Sequence, residues 1–418
     1  MKIVKKFLVL LLINSIFLIS CGSDGNDGND APGPIGSVAK PLASPASGSY
    51  PTTQKIYLFA TVGATIYYTL DGSAPSSSST QYTGEFTFNT PGVYTLKAIA
   101  VKEGLSSLVL EETYTVDFRW IPSANSRNIF GTGTANIIWA IAYGDGKFVA
   151  AGGKLGYSTD CINWTAVADS KFFAHSIAYG DGKFVAGADQ GRMAYSTDGV
   201  NWVAVADSTF GTSASSANTI NTIAYGDGKY VAGAGGAQMA YSTDGVNWTK
   251  VVDNKFSAYH WVIYAITYGG GKFVAVADAG KIAYSTDGIN WTAVADSKFG
   301  TSNNAIRGGA YGGGKFVAVG DAGKMTYSTD GINWTAVADS KFGTSNNTIR
   351  GIAYGSERFV AVGNVGKMAH STDGVNWAVE PGSQFLNWWR SVHSITFGNN
   401  RFVAGWANSG RIASLRTE

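Results

Sequence analysis

The chain has 418 residues and is rich in glycine (54), tyrosine (21), phenylalanine (21) and tryptophan (12), whereas only 14% of its residues are charged. Short apolar runs broken by Gly, Asp and Asn predict an all-β protein. The formal charge of +2 argues against nucleic acid as a partner, and two cysteines, Cys21 and Cys161, exclude a disulfide framework.

Residues 1–20 have the pattern of a signal peptide. Three lysines near the start precede the apolar run 7–19, which is too short to span a bilayer comfortably. The run ends in Leu-Ile-Ser-Cys21, which resembles the lipobox of bacterial lipoproteins. That resemblance implies lipidation of Cys21 and an extracytoplasmic protein held in the cell envelope, at the outer membrane or cell surface. The membrane is therefore an expected partner.

Residues 21–40 are predicted to be a flexible tether. They consist mostly of Gly, Asp, Asn and Pro, with too little apolar content to build a core.

Residues 41–117 predict a small β-domain of the immunoglobulin-like sandwich type. Strands are expected at 56–60, 65–69, 85–88, 94–98 and 112–116. The pattern Ile-Tyr-Tyr-Thr-x-Asp-Gly-Ser-x-Pro at 66–75 resembles the chitobiase/β-hexosaminidase C-terminal domain family. The resemblance implies an accessory spacer without catalytic residues. Asp71 and Gly72 are expected to form a turn.

Residues 118–418 contain an internal repeat that predicts a seven-bladed β-propeller. The sequence Tyr-Gly-Asp-Gly-Lys-Phe-Val-Ala and its variants begin at Tyr143, Tyr179, Tyr225, Tyr268, Tyr311, Tyr354 and Phe397. Each copy predicts four strands, typified by IAYG, KFVAVG, KMAYSTDG and NWTAV. The last copy lacks its Trp strand, and 118–122 contains an unpartnered one around Trp120. We expect this N-terminal strand to complete the last blade and close the ring.

The motif Tyr-Ser-Thr-Asp-Gly-x-Asn-Trp resembles the Asp-box (BNR) hairpin of sialidase-like propellers, with one residue fewer between Asp and Trp. The resemblance implies a structural role, in which the Asp caps backbone N–H groups of the turn and the Trp packs between blades. The aspartates concerned are Asp160, Asp198, Asp244, Asp287, Asp330 and Asp373. The tryptophans are Trp120, Trp164, Trp202, Trp248, Trp291, Trp334 and Trp377.

The repeats differ most at the residue four positions before each repeat Tyr or Phe. These positions are Trp139, His175, Asn221, Tyr264, Arg307, Arg350 and His393. They follow the connection whose length varies from 15 to 23 residues between Trp and the next Tyr, and binding sites favour variable loops on rigid scaffolds. The sequence therefore predicts a ligand-binding ring. The alternative is that these residues only pack between blades.

Other residues are expected on the same face. The turn residues Asp189, Asp278, Asp321 and Asn364 should lie there, primarily as turn formers. His260, Trp261, Trp388 and Trp389 add aromatic groups in the unusual loops.

The predicted function is a binding or interaction module that contacts a glycan or protein partner, without cofactor or metal. Two alternatives remain: a sialidase-like carbohydrate hydrolase and a purely structural envelope protein. The propeller repeats offer only Glu357, Glu380 and Glu418 besides turn aspartates, whereas a glycosidase needs two carboxylates across one bond. No catalytic residue is therefore assigned.

Overall fold

The computed structural model describes residues 38–51, 54–88, 92–117, 120–133, 136–170, 173–213, 215–256, 261–300, 304–343, 347–380, 391–407 and 409–417. The predicted signal peptide, Cys21 and most of the predicted tether lie outside these residues. The chain divides into two compact units, one made of segments before residue 114 and the other containing the whole repeat region together with the segments 47–55 and 86–94.

The N-terminal region contains two sheets in its described part. Its strands are β1 (Leu42–Ser44), β2 (Gly48–Pro51), β3 (Lys55–Phe59), β4 (Thr65–Thr69), β5 (Thr80–Gln81), β6 (Phe86–Thr87), β7 (Gly92–Lys102), β8 (Leu105–Ser106) and β9 (Leu110–Asp117). One sheet has the order β1-β3-β6 and the other β2-β9-β7-β4-β5, with β8 paired to β7. In β3, Ile56 and Leu58 are buried and alternate with exposed residues, as expected of a strand with one face on the core.

The turn after β4 follows the sequence-based prediction. The Asp71 carboxylate accepts hydrogen bonds from the backbone N–H and the hydroxyl of Ser73. Gly72 has φ +80°, a conformation that favours glycine.

The described part of residues 120–417 forms seven four-stranded antiparallel sheets. The first strands are β11 (Ala140–Gly144), β15 (Ala174–Gly180), β19 (Ile220–Gly226), β23 (Ile263–Gly269), β27 (Ile306–Gly312), β31 (Ile349–Gly355) and β35 (Val392–Gly398). The second strands are β12 (Lys147–Ala151), β16 (Lys183–Ala188), β20 (Lys229–Ala234), β24 (Lys272–Ala277), β28 (Lys315–Gly320), β32 (Arg358–Gly363) and β36 (Arg401–Trp406). The sheets are numbered 1 to 7 by these strands.

The outer half of each sheet is shorter. The third strands are β13 (Leu155–Ser158), β17 (Met193–Ser196), β21 (Met239–Ser242), β25 (Ile282–Ser285), β29 (Met325–Ser328), β33 (Met368–Ser371) and β37 (Ile412–Arg416). The fourth strands are β14 (Thr165–Ala166), β18 (Val203–Ala204), β22 (Thr249–Lys250), β26 (Thr292–Ala293), β30 (Thr335–Ala336), β34 (Ala378–Val379) and β10 (Trp120–Pro122). Helix α1 is Ser126–Phe130, and 3-10 turns occupy Asp189–Gly191, Ser216–Asn218, Asp278–Gly280, Asp321–Gly323 and Asn364–Gly366.

Sheet 7 takes its fourth strand from the start of the repeat region. Strand β10 pairs antiparallel with β37, which places Trp120 opposite Leu415 and Pro122 opposite Ala413. Trp120 and Trp406 meet edge to face with ring centroids 6.5 Å apart. The outer edge of sheet 7 is therefore covered by residues almost 300 positions earlier in the chain.

The first strands of successive sheets contact one another, and β11 also contacts β35, so the sheets form a closed ring. A glycine at the end of each first strand lies against the aromatic ring of the next sheet. A Cβ added to Gly226 would lie 2.0 Å from the Tyr268 ring, and one added to Gly398 would lie 2.2 Å from the Tyr143 ring. These glycines are required because the next aromatic ring fills the space of a side chain.

Two details of the predicted repeat differ from the structure. The first strand begins earlier than IAYG in six sheets and includes the variable position. In sheets 1 to 6 the fourth strand begins after the Trp, not at the preceding Asn. The Trp belongs to the turn instead, because its indole N–H donates to the carbonyl of the turn residue three positions earlier, as Trp202 does to Gly199 (3.3 Å).

Candidate functional site

The six aspartates of the predicted Asp-box motif stabilise the turn between the third and fourth strands. Asp198 shows the pattern: one carboxylate oxygen accepts the backbone N–H groups of Val200 and Asn201, both at 2.8 Å, and the Ser196 hydroxyl at 2.9 Å. The other oxygen accepts the Asn201 side-chain amide at 2.7 Å. The same contacts occur at Asp160, Asp244, Asp287, Asp330 and Asp373.

These hydrogen bonds favour the ionised carboxylates. The backbone hydrogen bond from Asn201 makes the largest contribution to lowering the pKa of Asp198. At Asp160 burial acts in the opposite direction, but the hydrogen bonds from Asn163, Ile162 and Ser158 outweigh it and lower the pKa to about 2. Because both oxygens are occupied by the turn, these aspartates have little capacity left for a ligand.

Cys161 occupies the turn position that is glycine in the other Asp-box copies. Its φ is +64°, its side chain is buried, and it forms no disulfide. Burial raises the pKa of its thiol to about 12, so the reactive thiolate is disfavoured.

Six of the seven variable positions lie at β-bulges of the first strands. In sheet 2 Ala174 pairs with Ala188 and Ser176 with Gly187, so His175 is the extra residue without a pairing partner. The same register shift skips Asn221, Tyr264, Arg307, Arg350 and His393. In sheet 1 Trp139 comes directly before β11. A bulge redirects the side chain of its extra residue, which is why bulges are common beside functional sites.

The structure brings all seven variable side chains together around one cavity of about 300 Å³. Its lining consists of Trp139, His175, Asn221, Tyr264, Arg307, Arg350 and His393. These are the seven residues predicted from sequence, and we call them the ring residues. The volume lies at the lower end of the range for small-molecule sites, about 300–1,000 Å³.

One side of the cavity is aromatic. The Trp139 ring centroid is 4.9 Å from the rings of both His175 and His393, and the His393 contact is edge to face. Trp139 nevertheless remains 37% exposed, so part of its surface is available for stacking. On another side, the Arg307 guanidinium lies 4.7 Å from the centroid of the Tyr264 ring, in cation–π geometry.

Four ring residues have a polar partner in the turn after the second strand of their own sheet. Arg307 pairs with Asp321 through two hydrogen bonds of 2.7 and 3.1 Å, and His175 lies 3.1 Å from Asp189. The Arg350 Nε donates to the side-chain oxygen of Asn364 at 2.8 Å. Burial raises the pKa of Tyr264, the fourth residue, and the nearby negative charge of Asp278 acts in the same direction. The turn residues therefore orient the ring residues.

The sequence placed Asp189, Asp278, Asp321 and Asn364 on this face but did not predict their pairing. It also missed hydroxyl residues two positions before some ring residues. Thr219, Thr348 and Ser391 donate to Asp189, Asp321 and Asn364 respectively, at 2.7–3.1 Å. The recurrence of Thr or Ser two positions before the variable residue could have indicated these contacts.

The charges around the cavity are unevenly distributed. Burial and the positive charges of Arg350 and Arg307 lower the pKa of His393 to about 3, so it is neutral at pH 7. Burial and the positive charge of Arg307 also lower the pKa of the Arg350 guanidinium. At Arg307 burial opposes ionisation, but the hydrogen bond to Asp321 outweighs it and raises the pKa.

The remaining predicted residues contribute less. Trp261 is half-buried, with the Lys281 ammonium 6.0 Å from its ring centroid. His260, Trp388 and Trp389 lie outside the described residues. Within the described ranges, no cluster of His, Cys, Asp and Glu suited to a metal ion is found, and no helix has the length and apolarity to cross a membrane.

A second cluster of polar side chains, in sheet 6, was not predicted from the sequence. Glu380, buried at 1% exposure, lies 3.1 Å from Nδ1 of His370 and 3.7 Å from a guanidinium nitrogen of Arg358. The equivalent residues of sheet 5 are Val337, Tyr327 and Lys315. Sheet 6 therefore has a buried carboxylate where sheet 5 has the apolar side chain of Val337.

Comparison with known proteins supports both parts of the fold. Residues 45–115 match the family model of the chitobiase/beta-hexosaminidase C-terminal domain, which confirms that predicted resemblance. No curated protein matches the chain.

Solved structures that resemble the chain include β-propellers. A structure of YCF48 bound to D1 peptide is 15% identical with TM-score 0.54, covering 72% of this chain and 95% of that one. A catalytically inactive variant of virginiamycin B lyase from Staphylococcus aureus, with quinupristin, is 12% identical with TM-score 0.56, covering 72% and 99%. The WD40 propeller domain of Doa1 is 12% identical with TM-score 0.52, covering 72% and 98%. At these identities the similarity shows a β-propeller fold.

Proposed function

We propose that this protein is a cell-envelope binding module whose ligand enters the cavity formed by the ring residues. The observation that carries the proposal is the convergence of the seven most divergent repeat positions on one cavity. Near-identical repeats would produce a uniform lining if this surface served only to pack the sheets. The lining instead combines two cationic, four aromatic or imidazole and one amide side chain, which is typical of a recognition site.

The proposed architecture is a seven-bladed propeller, in which each four-stranded sheet is one blade and β10 closes the ring. Its third and fourth strands are joined by Asp-box hairpins. The N-terminal region is proposed to be an immunoglobulin-like sandwich that acts as a spacer, and its two sheets and the family match at 45–115 support this assignment.

The proposed location is the outside of the cell, through a lipid on Cys21. The sequence alone supports this proposal, because Cys21 directly follows the apolar run of a signal peptide. Expression with a radiolabelled fatty acid should label the full chain, and Cys21→Ser should abolish labelling, whereas Cys161→Ser should not change it.

The partner is proposed to be a glycan or a peptide segment of a protein. Aromatic and arginine side chains bind both sugar rings and peptide groups. The structure of YCF48, described as bound to D1 peptide, provides an example of a propeller of similar fold with a peptide ligand.

The same cavity is proposed to bind without turnover. Asp321 is held in a bidentate ion pair with Arg307, and Asp189 contacts His175 and Thr219. Neither is arranged as a general acid opposite a second carboxylate. A panel of fluorogenic glycosides tests this proposal, because turnover lost on Asp189→Asn or Asp321→Asn would establish the hydrolase alternative.

Glycan and peptide arrays probed with the full chain test the binding function. We expect a hit whose signal is lost in the double variant Arg307→Ala/Arg350→Ala. Arg127→Ala serves as the matched control, because Arg127 is an exposed arginine of α1 outside the cavity lining. Equal signals from the wild type and the double variant would contradict the assignment of the cavity as the binding site.

A further inference from the structure

The cavity has one cationic side chain without a counter-charge. Arg307 and Arg350 occupy equivalent positions in sheets 5 and 6, and each donates through Nε to the first residue of the following 3-10 turn. That residue is Asp321 in sheet 5 but Asn364 in sheet 6. The structure therefore neutralises Arg307 and leaves Arg350 with a neutral partner. Among the described residues, no carboxylate forms an ion pair with Arg350.

The two turns are otherwise alike. The backbone N–H of Asp321 donates to Ala305 and that of Asn364 to Thr348, and both side chains also accept a hydroxyl hydrogen bond. The first residue of the turn is thus a carboxylate in sheet 5 and an amide in sheet 6, and the second carboxylate oxygen of Asp321 also accepts hydrogen bonds from Nη2 of Arg307 and the backbone N–H of Ala305.

The surroundings of Arg350 make the missing charge significant. The pKa shifts of Arg350 and His393 have burial as their main cause and the neighbouring positive charges as their second. The Asp321 carboxylate acts on the pKa of Arg350 in the opposite direction, but it is already paired with Arg307, so the positive charges prevail around Arg350 and His393. A partly buried guanidinium without a counter-ion favours an anion supplied by a ligand.

The next groups around the ring are His393 and Trp139. Their rings are in contact at 4.9 Å, and Trp139 keeps an exposed surface. A ligand whose anionic group meets Arg350 would therefore place its remaining atoms against an aromatic surface. A cavity of about 300 Å³ has room for one or two small rings.

We propose that the sector Arg350–His393–Trp139 binds the carboxylate of a small ring-bearing acid, with Arg350 pairing to the carboxylate and Trp139 stacking on the ring. The planar guanidinium suits a carboxylate because it can donate two parallel hydrogen bonds. This proposal rests on the proposed binding function and specifies the chemistry of its ligand. Two sources share that chemistry: an acidic sugar such as a uronic acid, and a peptide that ends in an aromatic residue.

The test uses the full chain and two matched pairs of probes in a calorimetric or NMR titration. Glucuronate is compared with glucose, and N-acetylphenylalanine with its C-terminal amide. We expect one acid to bind at least tenfold more tightly than its neutral counterpart, and the pair that shows the preference identifies the source. Trp139→Ala should weaken binding of that acid.

Two nearly isosteric substitutions test the role of the charge. Asn364→Asp gives Arg350 the partner that Arg307 already has, and we expect it to weaken acid binding at least tenfold. Asp321→Asn removes the counter-charge of Arg307 and should strengthen acid binding. Both residues occur naturally at this turn position in the chain, so the turn should fold in both variants.

The outcomes separate this inference from the binding function. Equal affinity for acid and neutral probes, no effect of Asn364→Asp, or no binding of either acid would overturn the inference. An array hit without a carboxylate that still depends on Arg307 and Arg350 would overturn it too, but would leave the binding function standing. If the wild-type chain bound nothing on the glycan and peptide arrays, that result would contradict the binding function itself.

Discussion

The buried charge cluster of sheet 6 provides a sharp test of how the repeats are stabilised. The residue three positions after the Trp is valine in sheets 1 to 5 (Val167, Val205, Val251, Val294 and Val337). In sheet 6 it is Glu380, whose side chain is completely buried and lies close to His370 and Arg358. The substitution Glu380→Val gives sheet 6 the residue that sheets 1 to 5 have at this position.

The single substitution should destabilise the protein even though valine fits five equivalent sites. Arg358 is only 12% exposed at its side chain, and removing the carboxylate leaves its charge buried without that partner. Breaking a buried ion pair in this way costs about 3–5 kcal/mol. The triple variant Arg358→Lys/His370→Tyr/Glu380→Val reproduces sheet 5, and it should recover this loss or exceed the stability of the wild type by about 1–4 kcal/mol.

Urea unfolding followed by tryptophan fluorescence, with all variants at one pH, measures these differences. Val337→Ala in sheet 5 is the control for loss of packing at the same position. A destabilising loss of the ion pair would be contradicted if Glu380→Val were as stable as the wild type, or if the triple variant were less stable than the single variant. The first result would mean that the cluster contributes nothing, and the second that the charges do not act as a unit.

Three further predictions follow from the same structure. Gly226→Ala should lower the free energy of unfolding by about 1–3 kcal/mol or more, because the new Cβ would meet the Tyr268 ring. Gly153→Ala is the control, because its new Cβ would meet only ordinary contacts. Thermal unfolding compares the two variants. The pKa of His393 is about 3 in the folded protein and about 6.5 in the unfolded chain. Between these values the unfolded chain binds a proton that the folded protein does not bind. The free energy of unfolding therefore falls as the pH drops from about 6.5 towards 3. At pH 5 this loss is about 2 kcal/mol, and His393→Asn should reduce the difference in urea midpoint between pH 7.5 and pH 5. Asp198→Ala should cost about 1–3 kcal/mol by leaving the N–H groups of Val200 and Asn201 without their acceptor, and an unchanged urea midpoint would contradict the role of the turn.

The repeat pattern allowed much of the propeller region to be predicted. The Trp follows the repeat Tyr by 23 residues in five copies and by 21 in the first, so one interpretation of the strands and turns applied to all of them. The closing strand was predictable because Trp120 precedes Tyr143 by the same 23 residues that separate Trp202 from Tyr225. The ring residues were predictable for the opposite reason, since they are where otherwise similar copies disagree.

Contacts that depend on register could not be predicted in the same way. Arg307 and Asp321 are 14 residues apart, and they meet only because a bulge turns Arg307 towards the start of the next 3-10 turn. The pattern of residue types does not reveal this bulge, because only one paired residue precedes it in the strand, which is too few to show that the alternation changes phase. Glu380 was overlooked because its burial follows from its position in the repeat, where valine is the usual residue.

The bulges also explain why the repeats diverge where they do. A residue within the ladder must keep its size and direction, because its neighbours pack on both faces and a change disturbs the adjoining sheet. The extra residue of a bulge has no cross-strand partner, so its side chain can change from imidazole to amide to guanidinium without affecting the register. Gly226, Asp198 and Trp202 have no such freedom, since the next aromatic ring and the turn depend on them. A chain built in this way can vary its cavity one residue per sheet while the scaffold remains constant, which is the property that a binding module needs.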